Sequence, residues 1–347
     1  MSRTEISTLG EFGLIDRLTA GIKPANASTA CGIGDDCAVL HYPDKEVLVT
    51  TDLLLEGVHF DLTYVPLKHL GYKAVMVNLS DVCAMNGTPR QITVSLGISK
   101  RFSVEDIEQL YAGMRLACEH AHVDIVGGDT TSSLTGLTIS ITAIGEADKD
   151  AVCYRSGARE TDLICVTGNL GAAYAGLQLL EREKAVLQGT TKDVQPDFAG
   201  REYILQRQLM PEARLDVIQA LAAAGIRPTA MMDISDGLSS ELLHICRQSQ
   251  AGCRLYEEHI PLDYQTAAMA EELNMNVITF ALNGGEDYEL LFTVPLSDYE
   301  RVQDIKDVRI VGHITTPELG SMLVTRDGTE MELQAQGFTA FAPQLDE

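Results

Sequence analysis

The sequence predicts an α/β protein of two domains, and three observations lead to this prediction. The chain has 347 residues, which is long for one hydrophobic core and comfortable for two. Apolar residues make up 45% of it, so we expect a packed globular protein rather than a disordered chain. Strand-like and helix-like segments are mixed in both halves, and residues 147–150 turn polar and charged. We therefore expect one domain over residues 1–147 and a second over residues 148–347.

The first half begins with a predicted helix over residues 8–20, because Thr8 can cap it and Glu11 follows three residues later. A strand is predicted at EVLVTTD. A buried helix is predicted at LGYKAVMVNLSDVCAMNG, since Gly87 and Pro89 are residues that end helices. ITVSLGI is then typical of a strand.

Another helix is predicted in SVEDIEQLYAGMRLACEHAHV, where Ser103 and Asp106 form a capping pattern. Its apolar residues recur at helical spacing, and they are Ile107, Leu110, Met114, Ala117 and Ala121. DIVGG and GLTISITAIGE have the composition of strands and complete the first half.

The second half repeats this mixture. DLICVTG predicts a strand, NLGAAYAGLQLLERE a helix, and residues 188–200 a loop. PEARLDVIQALAAAG predicts a helix with Pro211 near its start and Gly225 just after its end. TAMMDISDGLSSELLHIC follows as strand, turn and helix, and ALNGGEDYELLFTVP as a glycine turn leading into a strand. MLVTRDGTEMEL predicts a hairpin around Asp327 and Gly328.

The composition excludes several classes of protein. The net charge is −24, from 50 acidic and 26 basic residues, and such a field repels nucleic acid and anionic membranes. No run reaches the ~18 apolar residues of a membrane span, and the first residues contain no apolar signal core, so we expect a cytoplasmic protein. None of the eight cysteines forms a C-x-x-C pair, which favours reduced, buried thiols over disulfides or zinc.

Carboxylates recur beside glycine, serine or threonine, at the ends of apolar segments or inside them. Each one alone has an ordinary explanation as a turn or a helix cap, and Asp236 could cap the helix that begins near Leu238. Asp81 is the hardest to explain in this way, because it interrupts an apolar helix and an unpaired buried carboxylate is costly. The six motifs contain Asp35 and Asp36, Asp52, Asp81, Asp129, Asp233 and Asp236, and Glu286 and Asp287.

Taken together, the six motifs predict a magnesium site that serves phosphates. Carboxylates ~4 Å apart repel by about 4 kcal/mol at an effective dielectric constant of about 20, and protonation or bound cations relieve that repulsion. Oxygen ligands with threonine and serine hydroxyls suit Mg²⁺ first and Ca²⁺ second, and neighbouring glycines let backbone N–H groups approach phosphate. The sequence has neither a P-loop nor the protein-kinase motifs. Close strand–helix packing explains TGNLGAAYAG better than a nucleotide loop does.

In their order along the chain, these motifs resemble those of the thiamine-monophosphate kinase family. The segments that carry the resemblance are GEFGLIDRL, GIGDDCAVL, TTDLLLEGVHF, YKAVMVNLSDVCAMNGTP, IVGGDTTSS, RSGARETDLICVTGNLG, MMDISDGLSSEL, GGEDYELLFTV and GF at Gly337. Single motifs such as GGDTT are shared with aminoimidazole ribonucleotide synthetase, selenophosphate synthetase and the hydrogenase-maturation dehydratase. The chain lacks the catalytic Cys/Lys pair of the second and the cysteine tail of the third.

The resemblance implies an aminoimidazole ribonucleotide synthetase-like, α/β (α+β) fold. Its N-terminal domain would bind ATP and Mg²⁺ and pair its sheet with that of a second copy across a homodimer axis, while a C-terminal α/β domain completes the active site. The implied reaction is direct in-line phosphorylation of thiamine monophosphate by ATP, giving thiamine diphosphate. The alternatives are another ATP-dependent enzyme of the superfamily that activates an amide or a selenide, a metal-binding scaffold protein, or a metal phosphatase.

Roles for individual residues also follow from the resemblance. The implied Mg²⁺ ligands are Asp36, Thr50, Thr51, Asp52, Asp81, Asp129 and Asp233, with Asp236 for a further ion. The implied ATP contacts are Tyr111, Gly128, Asp129, Arg155 and Ser235, and the implied thiamine contacts are His59, Glu286 and Phe338. From residue type alone, Phe338 could instead pack in a core, His59 could close a turn and Arg155 could form a surface salt bridge. The metal cluster that carries catalysis would contain Asp36, Asp52, Asp81 and Asp129.

Overall fold

The computed structural model divides into two compact units. The first contains residues up to Val152 together with Leu209–Ile218, and the second contains Cys153–Gln208 and the residues from Gln219 onward. Both units mix helices with strands, which confirms the predicted fold class. The residues that the structure describes are 14, 17–31, 39–189, 196 and 198–336.

A four-stranded sheet forms the centre of the first unit. Its strand order is β3-β6-β4-β5, and only β4 and β5 run parallel. The strands of this unit are β1 (Thr29–Cys31), β2 (Val39–Leu40), β3 (Glu46–Leu55), β4 (Thr88–Ile98), β5 (Asp124–Ser132) and β6 (Leu137–Ala147). Burial alternates strictly along β6, as expected of a strand with one face on the core.

Two helices, α1 (Leu67–Ala84) and α2 (Val104–Ala121), contribute to the core of the first unit. Fourteen of the eighteen residues of α1 are buried, in agreement with the apolar residues on all sides of this helix. The predicted capping box of α2 is confirmed, because Ser103 Oγ accepts from the Asp106 N–H at 3.2 Å and the Asp106 carboxylate accepts from the Ser103 N–H at 2.8 Å. The predicted helix over residues 8–20 lies mostly outside the described residues, and residues 17–19 are helical.

The second unit contains a seven-stranded sheet in the order β13-β12-β9-β11-β7-β10-β8, in which only β9 and β12 run parallel. Its strands are β7 (Leu163–Thr167), β8 (Ala230–Asp233), β9 (Gly252–Tyr256), β10 (Leu290–Val294), β11 (Val308–Thr315), β12 (Ser321–Val324) and β13 (Glu330–Glu332). β12 and β13 form the predicted hairpin, in which Gly328 has a φ of +83°.

The remaining helices are α3 (Ala172–Gly189), α4 (Glu202–Leu209), α5 (Leu215–Ala223), α6 (Leu238–Ser249), α7 (Tyr264–Glu272), α8 (Val277–Asn283) and α9 (Tyr299–Gln303). The loop predicted at residues 188–200 begins inside α3, and residues 190–195 and 197 lie outside the described residues. Among the helices that the structure describes, none combines the length and the apolar character that crossing a membrane requires.

Candidate active site

In the first unit, β3 and α1 bring three of the predicted metal ligands together. Thr50 and Asp52 are two residues apart on β3, so their side chains share one face of the strand. Thr50 Oγ1 donates a hydrogen bond of 2.6 Å to Asp81 Oδ2 on α1. One turn before Asp81, Asn78 Oδ1 accepts a hydrogen bond of 3.0 Å from the Asp52 N–H. We call Thr50, Asp52 and Asp81 the β3–α1 cluster.

The carboxylates of the β3–α1 cluster repel each other. The pKa of Asp52 is raised to about 6, first by burial and second by the negative charge of Asp81. Both effects disfavour the ionised form of Asp52, and a bound cation would offset both. The donor set is entirely oxygen, which fits the hard cation Mg²⁺ and does not fit zinc.

Thr51 faces the other side of the sheet. Its hydroxyl donates to the backbone oxygen of Ile141 at 3.1 Å and accepts from Thr142 Oγ1 at 3.1 Å. Successive side chains of a strand point to opposite faces, so the structure does not bring the Thr51 hydroxyl to the β3–α1 cluster.

Gly128 and Asp129 lie exposed on β5. A Cβ atom at Gly128 would come within 1.9 Å of the Val94 carbonyl oxygen, so the parallel pairing of β4 and β5 requires glycine there. Asp129 Oδ1 accepts a hydrogen bond of 2.8 Å from the Thr130 N–H.

Tyr111 on α2 is only 6% exposed, and burial raises its pKa to about 12.

His59 follows β3 in a turn. Its Nδ1 accepts a hydrogen bond of 3.0 Å from the Leu55 N–H, and the ring is exposed. His59 therefore does close a turn. Two predicted site residues, Asp36 and Phe338, lie outside the described residues. Within the described ranges, no group of three or more His, Cys, Asp and Glu side chains is close enough to hold a metal ion.

In the second unit, the predicted residues gather at the turn between β8 and α6. Asp233, the last residue of β8, is 5% exposed. The N-cap of α6 is Gly237, with a φ of +111° and no side-chain cap, so the alternative that Asp236 caps this helix is wrong. Instead, Glu241 Oε1 accepts a hydrogen bond of 3.0 Å from the Asp236 N–H.

The loop between α8 and β10, residues 284–289, lies against this turn. The Glu286 N–H donates to the Ser235 carbonyl oxygen at 2.6 Å, and the Tyr288 N–H donates to the Ile234 carbonyl oxygen at 2.9 Å. Ser235 and Glu286, which the resemblance assigns to ATP and to thiamine, are therefore neighbours. We call residues 284–289 the Glu286 loop.

Electrostatics connects Arg155 with the same turn. His244 on α6 has a lowered pKa because of partial burial and the positive charges of Arg247 and Arg155, and the charge of Asp236 opposes this. Partial burial raises the pKa of Asp236. The charge of His244 opposes this shift, and the charge of Glu286 adds to it. Arg155 and Asp236 thus both shift the pKa of the His244 imidazole, in opposite directions. Arg155 itself is exposed.

Sequence reasoning missed the residues that hold the predicted ones in place. Asn78 could have been found from its position three residues before Asp81, on the same face of a helix. Glu241, which is 1% exposed, could have been suspected as a carboxylate in the first turn of α6. Arg207 and Gln208 give no such signal, because only the folded chain brings them to the Glu286 loop.

The chain is similar to known proteins along most of its length. The family models of the AIR synthase related protein match residues 34–147 for its N-terminal domain and residues 159–319 for its C-terminal domain. The thiamine-monophosphate kinase of Aquifex aeolicus (strain VF5) is 37% identical over 303 residues, which cover 87% of this chain and 92% of that protein. That of Bacillus subtilis (strain 168) is 32% identical over 96% of this chain and all 100% of its own length.

A solved structure of AaThiL complexed with AMPPCP and TMP superimposes with a TM-score of 0.72. It is 34% identical in sequence and covers 96% of this chain and 98% of its own. The predicted two-domain AIR synthase-like fold is therefore confirmed.

Proposed function

Since the chain belongs to the thiamine-monophosphate kinase family and is an ATP-dependent thiamine-phosphate kinase, we propose that it works by direct in-line transfer assisted by Mg²⁺. The phosphate oxygen of thiamine monophosphate attacks the γ-phosphorus of ATP, and ADP leaves. The attacking oxygen is already anionic, so the reaction needs no strong general base. No covalent enzyme intermediate is required.

The barrier to this reaction is the repulsion between two anions, since the substrates together carry about six negative charges. Bound Mg²⁺ would neutralise and orient these phosphates. The residues that would hold it are Thr50, Asp52, Asp81, Asp129, Asp233 and Asp236, together with Asp36, but not the hydroxyl of Thr51, which bonds to Ile141 and Thr142. The single observation that carries this assignment is the β3–α1 cluster, in which Thr50 bonds to Asp81 and the charge of Asp81, with burial, raises the pKa of Asp52 to about 6.

We propose Tyr111, Gly128, Asp129, Arg155 and Ser235 as contacts to ATP, and His59, Glu286 and Phe338 as contacts to thiamine monophosphate. The adjacency of Ser235 and Glu286 supports a site in which the turn after β8 and the Glu286 loop bind neighbouring parts of the reacting pair.

We also propose a homodimer formed through the sheet of the first unit. Three apolar side chains of β3 are exposed on one face of the strand, Val47 at 47%, Val49 at 66% and Leu53 at 52%. An apolar edge strand left in water is a liability, and a second copy of the same sheet would cover it. A cytoplasmic location is supported by the six cysteines whose side chains the structure describes, which are all free and buried.

Incubation with ATP, Mg²⁺ and thiamine monophosphate tests the proposal when the products are identified. We expect equal amounts of thiamine diphosphate and ADP, and loss of both when the metal is chelated. Thiamine diphosphate formed at the same rate without divalent cations would contradict the role of Mg²⁺. Phosphate release without diphosphate would indicate a phosphatase, and no ATP consumption would indicate a scaffold protein.

A further inference from the structure

The end of α4 contacts the Glu286 loop through two consecutive side chains. Arg207 Nη2 donates to the backbone oxygen of Asp287 at 2.9 Å and to Glu289 Oε1 at 2.8 Å. Gln208 Nε2 donates to Glu286 Oε2 at 2.8 Å. Arg207 therefore fixes the backbone of the loop. Gln208 instead contacts Glu286, the side chain of the loop that the proposed function assigns to substrate binding.

The backbone of the Glu286 loop has a conformation that few sequences adopt. Gly285, Glu286 and Tyr288 have φ values of +70°, +58° and +52°, and non-glycine residues rarely occupy this region unless their surroundings fix them. Asp287, between the last two, is fully buried and accepts from the Gly171 N–H at 2.6 Å. Such a rigid loop presents Glu286 from a fixed backbone position, so the direction of its carboxylate depends on what its side chain contacts.

Gln208 is suited to set that direction. It is 5% exposed, so its amide is held in place by the packing around α4. An amide N–H that donates to a carboxylate favours the ionised form, and glutamine itself carries no charge that would compete with a substrate cation. The thiazolium ring of thiamine is a cation, and an oriented carboxylate attracts it.

We propose that Gln208 is a positioning residue for thiamine monophosphate, acting through the carboxylate of Glu286. The inference rests on the proposed contact between Glu286 and the substrate. Gln208 would raise the affinity for the cationic thiamine part of the substrate and leave the binding of ATP unchanged. Its effect would therefore appear in the KM for thiamine monophosphate and much less in kcat.

A double-mutant cycle with Gln208→Met and Glu286→Gln tests this. We expect each single variant to raise the KM for thiamine monophosphate about tenfold, as for the loss of one hydrogen bond or contact to a charged group. The KM for ATP should stay within about twofold. Because Gln208 acts only through Glu286, the double variant should match Glu286→Gln alone.

Gln265 provides a matched control. It is also a buried glutamine, 9% exposed, and its Oε1 accepts from the Tyr203 N–H at the other end of α4, at 3.1 Å. We expect Gln265→Met to leave the KM for thiamine monophosphate unchanged. Should Gln208→Met fail to fold, Gln208→Glu supplies the same test, because it keeps the length of the side chain and places a second carboxylate against Glu286.

Two outcomes would overturn the inference while the kinase function stands. One is a double-mutant cycle in which the effects of Gln208→Met and Glu286→Gln on the KM for thiamine monophosphate multiply, because the two side chains would then act independently. The other is an equal rise in the KM for ATP, which indicates general damage to the fold. A wild-type protein that makes no thiamine diphosphate would instead overturn the proposed function, and this inference with it.

Discussion

Asp81 lies in a largely buried helix, where it accepts a hydrogen bond from Thr50 and raises the pKa of Asp52. We expect Asp81→Asn to lower kcat more than ~100-fold, since losing even an indirect metal partner costs 10–100-fold. The fold should stay intact, because asparagine fills the same volume and can still accept from Thr50. Steady-state kinetics and a thermal unfolding curve measure the two effects.

The matched control for Asp81→Asn is Asp148→Asn, an exposed aspartate of the same unit that pairs with Lys45. Its turnover should equal that of the wild type, because exposed ion pairs contribute little. Turnover of Asp81→Asn at the wild-type rate would remove the proposed metal cluster.

Asp287 makes the stability depend on pH. Burial raises its pKa from 3.8 to about 6, although Arg207 and the N–H groups of Gly171 and Ala173 oppose the shift. Since the pKa is higher in the folded state, the stabilisation by the protonated carboxyl is complete below about 3.8 and is lost as the pH rises through 6.

Asp287→Asn removes this titration. Between pH 5 and pH 7.5 the free energy of unfolding of the variant should gain roughly 1 kcal/mol relative to the wild type. Urea unfolding at the two pH values measures the difference. Parallel pH profiles for the two proteins would show that Asp287 does not titrate in this range.

How far the sequence could predict single residues depended on what each one contacts. Asp81 was recognisable because a carboxylate in an apolar helix needs a partner. Successive side chains of a strand point to opposite faces, so Thr51 points away from the β3–α1 cluster that contains Thr50 and Asp52. The resemblance alone had assigned Thr51 to the metal. Gln208 could not be found, since it meets Glu286 across 78 residues of chain and nothing in either local sequence indicates the other.

Two adjacent glycines of β5 differ sharply in what surrounds them. A Cβ atom at Gly127 would meet only Thr93 Cγ2 at 3.8 Å, an ordinary contact, whereas one at Gly128 would come within 1.9 Å of the Val94 carbonyl oxygen. We expect Gly128→Ala to push β4 and β5 apart and to lower the free energy of unfolding by at least ~2 kcal/mol. Gly127→Ala should change it little. Chemical unfolding of both variants measures this, and equal stabilities would contradict the close approach of the two strands.

Long, strongly periodic elements were predictable, and short ones were not. The periodicity of α2 and its capping box identified that helix, and the Asp-Gly turn identified the hairpin of β12 and β13. The sequence did not indicate α4, α7 or α8, which are seven to nine residues long. Helices of this length gain most of their stability from packing, and packing is not visible in a local sequence.

The quaternary structure depends on the exposed face of β3. We expect the wild type to sediment as a dimer and Val49→Lys to sediment as a monomer, because a buried lysine at the proposed interface would lack a partner. Val186→Lys, at an exposed valine of α3 in the second unit, should leave the dimer intact. A monomeric wild type at micromolar concentration would contradict the pairing of the two sheets.

Residues distant in sequence supply the proposed magnesium ligands, so uptake of Mg²⁺ by the complete chain tests the central claim most directly. In calorimetric titration with Mg²⁺ in the presence of a non-hydrolysable ATP analogue, we expect saturable binding to the wild type and clearly weaker binding to Asp81→Asn. Binding that is absent from the wild type, or equal in both proteins, would contradict the claim that these carboxylates hold magnesium.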